Sequence, residues 1–129
     1  MEKRVLVIML ILIMSQSCEY LVDHVYFIEV QNNSDVAVRC YASYSYPDTS
    51  LDLTKPRLQL INPKSYTKID SKEKWYKVLP NDTLEIFIIS EDTLIKYSWD
   101  LIKSDYKILK RFDLSVKDIE QMSSTVIYQ

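Results

Sequence analysis

The chain contains no glycine in 129 residues, although average usage of about 7% would supply roughly nine. Glycine adopts positive φ at the lowest steric cost, and Asn and Asp are the next most tolerant residues. We therefore expect Asn or Asp wherever a turn needs positive φ, as in the clusters Asn32-Asn33-Ser34-Asp35 and Pro80-Asn81-Asp82. Phosphate and calcium loops that depend on glycine are not expected.

Length and charge exclude several classes of protein. A chain of this length has room for one domain, and 47% hydrophobic with 26% charged residues is typical of a packed globular protein. A net charge of −2 supplies no basic field for nucleic acid. One His and two Cys supply few metal ligands. We expect no metal, no cofactor and no nucleic-acid partner.

The first eighteen residues predict export. Lys3 and Arg4 precede an unbroken apolar run of ten residues, Val5–Met14. That run is too short for a transmembrane helix, which needs about 20 apolar residues, and it is typical of a secretory signal peptide. We therefore expect a signal peptide at 1–17, a tether at 18–24 and a single domain at 25–129.

Cys18 stands where a signal peptidase would cut. Ser17 precedes it, and Ser15 lies three residues before it, where Leu is usual. The segment resembles a bacterial lipoprotein signal. The resemblance implies acylation of Cys18 with palmitate-type chains and anchoring in the cell envelope, at the outer membrane. Ordinary cleavage near Ser17, which would release a soluble periplasmic protein, is the alternative.

Residue usage and alternation favour a mainly β domain. Ten tyrosines and only two alanines suit a pleated sheet better than a helical bundle. We expect a small antiparallel β-sandwich or twisted sheet (mainly β, α+β) with one or two short helices. Val25–Gln31 and Val36–Tyr46 alternate and predict a hairpin across an Asn-rich turn. Cys40 falls on the inward face of the second strand.

Other elements are predicted from local patterns. Thr83–Ile89 is apolar on both faces except at Glu85, which indicates a central strand. Thr93–Tyr97 follows a turn at Glu91-Asp92. Further elements are a helix over Ser98–Ser104, a strand over Tyr106–Phe112, a capping box at Ser115 to Asp118, and a last strand over Thr125–Tyr128.

The chemistry-bearing residues are few. His24 lies in the tether, so no nucleophile–base pair is apparent and we do not expect an enzyme. Tyr41, Tyr44 and Tyr46 would form an aromatic face for a glycan, although tyrosine pairs also stabilise ordinary sheets. Asp82-Thr83-Leu84 and Asp92-Thr93-Leu94 resemble O-glycosylation acceptors, which makes Thr83 and Thr93 candidates. Turn chemistry is the alternative there.

Three segments resemble small uncharacterised lipoproteins of Bacteroides-type bacteria. The segments are Ser45-Tyr46-Pro47-Asp48-Thr49-Ser50-Leu51, Ser98-Trp99-Asp100 and Asp105–Ile119. The resemblance implies a membrane-anchored envelope protein and no particular chemistry. We therefore expect a non-catalytic interaction or accessory protein that binds another envelope protein or a glycan, with a glycan-binding module as the alternative.

The lipid anchor is directly testable. Cys18→Ala removes the acylated thiol, so fatty-acid labelling of the protein in its host should be lost. Because two or three acyl chains hold a protein on a bilayer far more firmly than one, the variant should also leave the membrane fraction. Labelling equal to that of the wild type would refute the anchor.

Overall fold

The structure, a computed structural model, describes residues 25–49, 51, 57–122 and 125–129. The predicted signal peptide at 1–17, Cys18 and the rest of the tether at 18–24 lie outside the described residues. The described part of the predicted domain folds as a mainly β protein, which confirms the expected fold class.

Seven strands in two sheets make up most of the described structure. The strands are β1 (Tyr26–Asn32), β2 (Val38–Ser43), β3 (Gln59–Ile61), β4 (Ser65–Ser71), β5 (Thr83–Ser90), β6 (Lys110–Ser115) and β7 (Thr125–Tyr128). The first sheet has the order β4-β1-β7, and the second has the order β3-β2-β5-β6. The pair of β1 and β7 is parallel, whereas we expected antiparallel pairing throughout. β7 reaches β1 from β6 in the other sheet, so no hairpin sets its direction.

Four short helices occur in the described residues, where one or two were expected. They are α1 (Trp75–Val78), α2 (Glu91–Lys96), α3 (Trp99–Ser104) and α4 (Val116–Gln121). The Ser98 hydroxyl accepts from the backbone N–H of Leu101 at the start of α3. The capping box of Ser115 and Asp118 at the start of α4 is complete. The capping box was predicted from the sequence, and so was a helix over Ser98–Ser104, although the cap at Ser98 was not.

The predicted hairpin of the first two strands is wrong, because β1 and β2 belong to different sheets. Asn32, which is fully buried, explains the crossing. Its side-chain amide donates to the carbonyls of Val36 (2.8 Å), Ile61 (3.2 Å) and Asn62 (3.2 Å). Its Oδ1 accepts from the backbone N–H and hydroxyl of Ser34. Asn32 thus holds together two of the connections that run between the sheets, β1 to β2 and β3 to β4.

β5 is the central strand of the second sheet, as predicted. It lies between β2 and β6, and Leu84–Ile89 is buried without interruption. Leu84, Ile86 and Ile88 belong to the main core between the sheets, and Trp75 and Leu79 from the α1 region also belong to it. Phe87 belongs to a second, smaller core with Tyr41 and Leu51.

Positive φ matches the expectation from the missing glycine at Asp82, in the cluster Pro80-Asn81-Asp82, but not at the other positions. Among the described residues it occurs at Leu51, Lys64, Asp82 and Tyr106, so only one of the four is an Asp. Left-handed backbone at a non-glycine residue costs about 1–2 kcal/mol, which tertiary contacts must offset. Lys64 follows Pro63, and its ammonium donates to the carbonyl of Asn33 at 2.6 Å and pairs with Asp35 at 3.0 Å.

The central strand should dominate the stability. Ile88→Ala removes a fully buried side chain, so the free energy of unfolding should fall by about 3 kcal/mol. Ile95→Ala is the matched control because Ile95 is 75% exposed, and its effect should stay within about 0.5 kcal/mol. Urea titration of both variants measures the difference. Equal losses would contradict this assignment of the core.

Candidate functional site

A cavity of about 210 Å³ lies beside β2, next to the edge strands β3 and β4, and we call it the edge cavity. β3 is only three residues long, and its pairing with β2 stops at Cys40 opposite Gln59. β2 continues past that point to Ser43, beside the cavity. The cavity is lined by Cys40, Tyr41, Ala42, Tyr44, Arg57, Gln59, Ile69 and Asp70.

The cavity wall combines an aromatic ring with hydrogen-bonding groups. Tyr44 is 36% exposed, and its pKa is raised, first by burial and then by the negative charge of Asp70. The phenol therefore stays protonated at neutral pH and can donate, while Asp70 can accept. Thr67 donates to Oε1 of Gln59 at 2.9 Å, which orients the Gln59 amide. Arg57 adds guanidinium donors.

Cys40 lies on the inward face of β2, as predicted, and is 1% exposed. Burial raises the pKa of its thiol to about 12. A thiol with that pKa stays protonated at neutral pH and is a poor nucleophile. It therefore acts as a small apolar side chain in the cavity wall.

The three tyrosines predicted as a glycan platform do not share an exposed face. Tyr41 is 4% exposed and stacks on Phe87, with ring centroids 5.8 Å apart and 16° between the ring planes. The outer face of the second sheet, where alternation places Tyr41, is covered by Leu51, Leu58, Trp99 and Ile108. Tyr46 is half-buried and precedes Pro47 through a cis peptide bond. Of the three, Tyr44 has the most exposed ring.

A buried carboxylate lies on that outer face and was not predicted to have a role. Glu85 is fully buried and is paired across the sheet with Ser43 on one side and Asp113 on the other. Its Oε2 accepts from the backbone N–H of Asp48 at 2.6 Å. Its Oε1 has no hydrogen-bond partner, and Arg111 Nη1 lies 3.8 Å away. The only sequence signal was one acidic residue inside an apolar strand.

Glu85 and Asp48 together hold the chain segment that covers the outer face. Asp48 Oδ1 accepts from the backbone N–H of Leu51 at 2.9 Å, and Leu51 is fully buried. The Tyr41 hydroxyl lies 3.5 Å from Asp48 Oδ2. Burial, ahead of the charges of Asp113 and Asp48, raises the pKa of Glu85, although the Asp48 N–H and the Arg111 charge act in the opposite direction. These hydrogen bonds have a structural role, because they hold the loop that carries Asp48 and Leu51 against the sheet.

The other predicted sites are dispersed. Thr83 is half-buried at the start of β5, and Thr93 is half-buried within α2, not at the start of a strand. His24 and Cys18 lie outside the described residues. Within the described ranges no group of three or more His, Cys, Asp or Glu side chains is placed to hold a metal ion.

Comparison of the chain with protein-family models, with curated proteins and with solved structures finds no match. None of the helices in the described part of the chain has the length and hydrophobicity that crossing a membrane requires.

Glu85→Gln should change how stability depends on pH. The folded-state pKa of Glu85 is raised above its ordinary value of 4.5. The stability that this carboxyl contributes is therefore fully present below pH 4.5, and it is lost as the pH rises through the folded-state pKa. Gln keeps the acceptor for the Asp48 N–H without a buried charge. The variant should therefore gain stability over the wild type as pH rises from 4.5 to 8, measured by urea unfolding.

Glu91→Gln is the control, because the pKa of Glu91 is shifted in the opposite direction from that of Glu85. A hydrogen bond from Arg39 lowers the pKa of Glu91, so its contribution is present above the ordinary pKa and is lost as pH falls. This variant should be less stable than the wild type at neutral pH by no more than about 1 kcal/mol, and the deficit should shrink in acid. A pH-independent effect of Glu85→Gln would show that its carboxyl does not titrate as argued.

Proposed function

We propose that this chain is a non-catalytic binding protein of the cell envelope, anchored to the outer membrane through acyl chains on Cys18. The support for the anchor is the short apolar run at Val5–Met14 followed by Cys18. The likeness of three segments to small lipoproteins of Bacteroides-type bacteria supports the same location.

The edge cavity is the single observation that carries the binding function. Its volume of about 210 Å³ is below the roughly 300 Å³ at which pockets for drug-sized ligands begin. It therefore suits one small ring or side chain of a larger molecule. The exposed ring of Tyr44 beside Arg57, Gln59 and Asp70 offers a stacking surface together with hydrogen-bond donors and acceptors.

That combination favours a sugar residue as the group that is bound. A sugar ring presents apolar C–H faces to an aromatic ring and hydroxyls that both donate and accept hydrogen bonds. The Tyr44 phenol, the Gln59 amide and the Asp70 carboxylate supply both kinds of partner. Glycan recognition therefore depends on Tyr44 and the edge cavity, without the exposed face of Tyr41, Tyr44 and Tyr46 that the sequence predicted.

The ionisation of the cavity's candidate nucleophiles supports a binding role over catalysis. The pKa of the Cys40 thiol is raised to about 12, and that of the Tyr44 phenol is raised as well. Both groups are therefore neutral near pH 7, and activation would require an adjacent general base or a positive charge that lowers the pKa.

Tyr44→Ala tests the proposal. The variant should lose at least about tenfold in affinity, or about 1.4 kcal/mol, for a glycan that the wild type binds on an array of bacterial envelope glycans. Tyr66→Ala is the matched control, because Tyr66 is 57% exposed on β4 and is not part of the edge cavity. No glycan bound by the wild type, or equal losses in the two variants, would refute this assignment.

A further inference from the structure

Lysines are concentrated where β4 ends and α1 begins. We call the set of Lys68, Lys72, Lys74, Lys77, Phe27 and Tyr76 the basic end, and all six side chains are exposed. Asp70 and Glu73 are the acidic residues within 68–77, so this stretch carries four positive and two negative charges, a net of +2. The whole chain has a net charge of −2, so positive charge is locally enriched here.

The lysines of the basic end form no close ion pair in the described part of the chain, although Glu29 lies opposite Lys68 in the pairing of β1 with β4. Among the described residues, Lys68, Lys72, Lys74 and Lys77 form no ion pair, whereas Arg39 and Lys64 are paired with carboxylates. Lys68 Nζ instead lies 4.1 Å from the ring centroid of Phe27. Their charge is therefore available to an external anion.

The basic end lies where the tether joins the domain. Tyr26, the first residue of β1, is paired with Ser71, the last residue of β4. Lys72 follows Ser71 directly, and Lys77 is six residues from it. Cys18 is seven residues before Val25, a length of chain that reaches at most about 25 Å. An acyl group on Cys18 therefore keeps this end of the molecule close to the bilayer.

Exposed aromatic side chains accompany the charge. Phe27 is 41% exposed and Tyr76 is 52% exposed, with Val25 beside the tether at 52%. Aromatic rings suit the boundary between acyl chains and water, and lysine stems can cover apolar surface while their ammonium groups stay in water. Basic and aromatic side chains in one place match the chemistry of a lipid headgroup layer.

We propose that the basic end is a membrane-contact surface that binds the anionic headgroups of the bilayer carrying the Cys18 lipid. The proposal rests on the anchoring proposed above, which brings the two surfaces together. Each lysine at an anionic bilayer surface contributes about fivefold in binding. The anchor holds the protein on the membrane, and the basic end fixes which side of the domain faces it.

The test compares binding of the purified full-length chain to two kinds of vesicle. One kind contains phosphatidylcholine alone, and the other contains phosphatidylcholine and phosphatidylglycerol in equal parts. The ratio of the two binding constants isolates the electrostatic contribution, because the apolar run at Val5–Met14 contributes to both. The same ratio is independent of acylation at Cys18, so its outcome is distinct from that of fatty-acid labelling.

Two variants of equal net charge locate the contribution. Lys72, Lys74 and Lys77 are changed to Gln in one variant, and Lys96, Lys103 and Lys117 are changed to Gln in the other. We expect the first variant to lose at least about tenfold in the ratio, and the second to lose less than about threefold. The ratio of the wild type should also fall when salt is raised, since screening shortens the range of these charges.

Each outcome decides the proposal. Equal losses in the two variants would show that only net charge matters and would overturn it. A wild-type ratio near one would show that anionic headgroups are not bound and would overturn it as well. Thermal unfolding of both variants at the wild-type temperature confirms that the fold is intact, and all six substituted lysines lie outside the buried cores.

Discussion

The fold depends on burying both faces of β5. Leu84–Ile89 is buried without interruption, so the second sheet must be covered on each side. The first sheet covers the side of Leu84, Ile86 and Ile88, which forms the main core. The other side, which carries Phe87, is covered by Leu51, Trp99 and Ile108. The two cores of the domain are thus consequences of one doubly apolar strand.

Covering the outer face buries a carboxylate as well. Glu85 is two residues before Phe87 on β5, so both side chains lie on that face. A buried charge without a compensating partner is costly. The Asp48 N–H compensates one oxygen at 2.6 Å, and Arg111 approaches the other only to 3.8 Å. The same hydrogen bond fixes the loop that places Leu51 in the second core. Electrostatics and packing therefore act through one contact here.

Local sequence patterns predicted local structure, but they did not predict which strands pair in the folded domain. The helix after Ser98, the Ser115 capping box, the central position of β5 and the inward position of Cys40 were all predicted. Each depends on residues close in sequence or on the alternation of one strand. The pairing of β1 with β4 and β7 does not depend on such local patterns. Asn32 donates to carbonyls 29 and 30 residues away, and no short pattern indicates that. The edge cavity was missed for the same reason, because it exists where β3 ends beside β2.

β4 connects the two proposed activities. It contributes Ile69 and Asp70 to the edge cavity and Lys68 to the basic end, and Lys72 follows it directly. Asp70 in the cavity wall is two residues from both Lys68 and Lys72. A domain whose basic end lies on the bilayer therefore has its edge cavity close to the membrane surface. A sugar bound there would belong to a glycan close to the bilayer. Such a position favours a ligand that is itself attached to the membrane over one that diffuses freely.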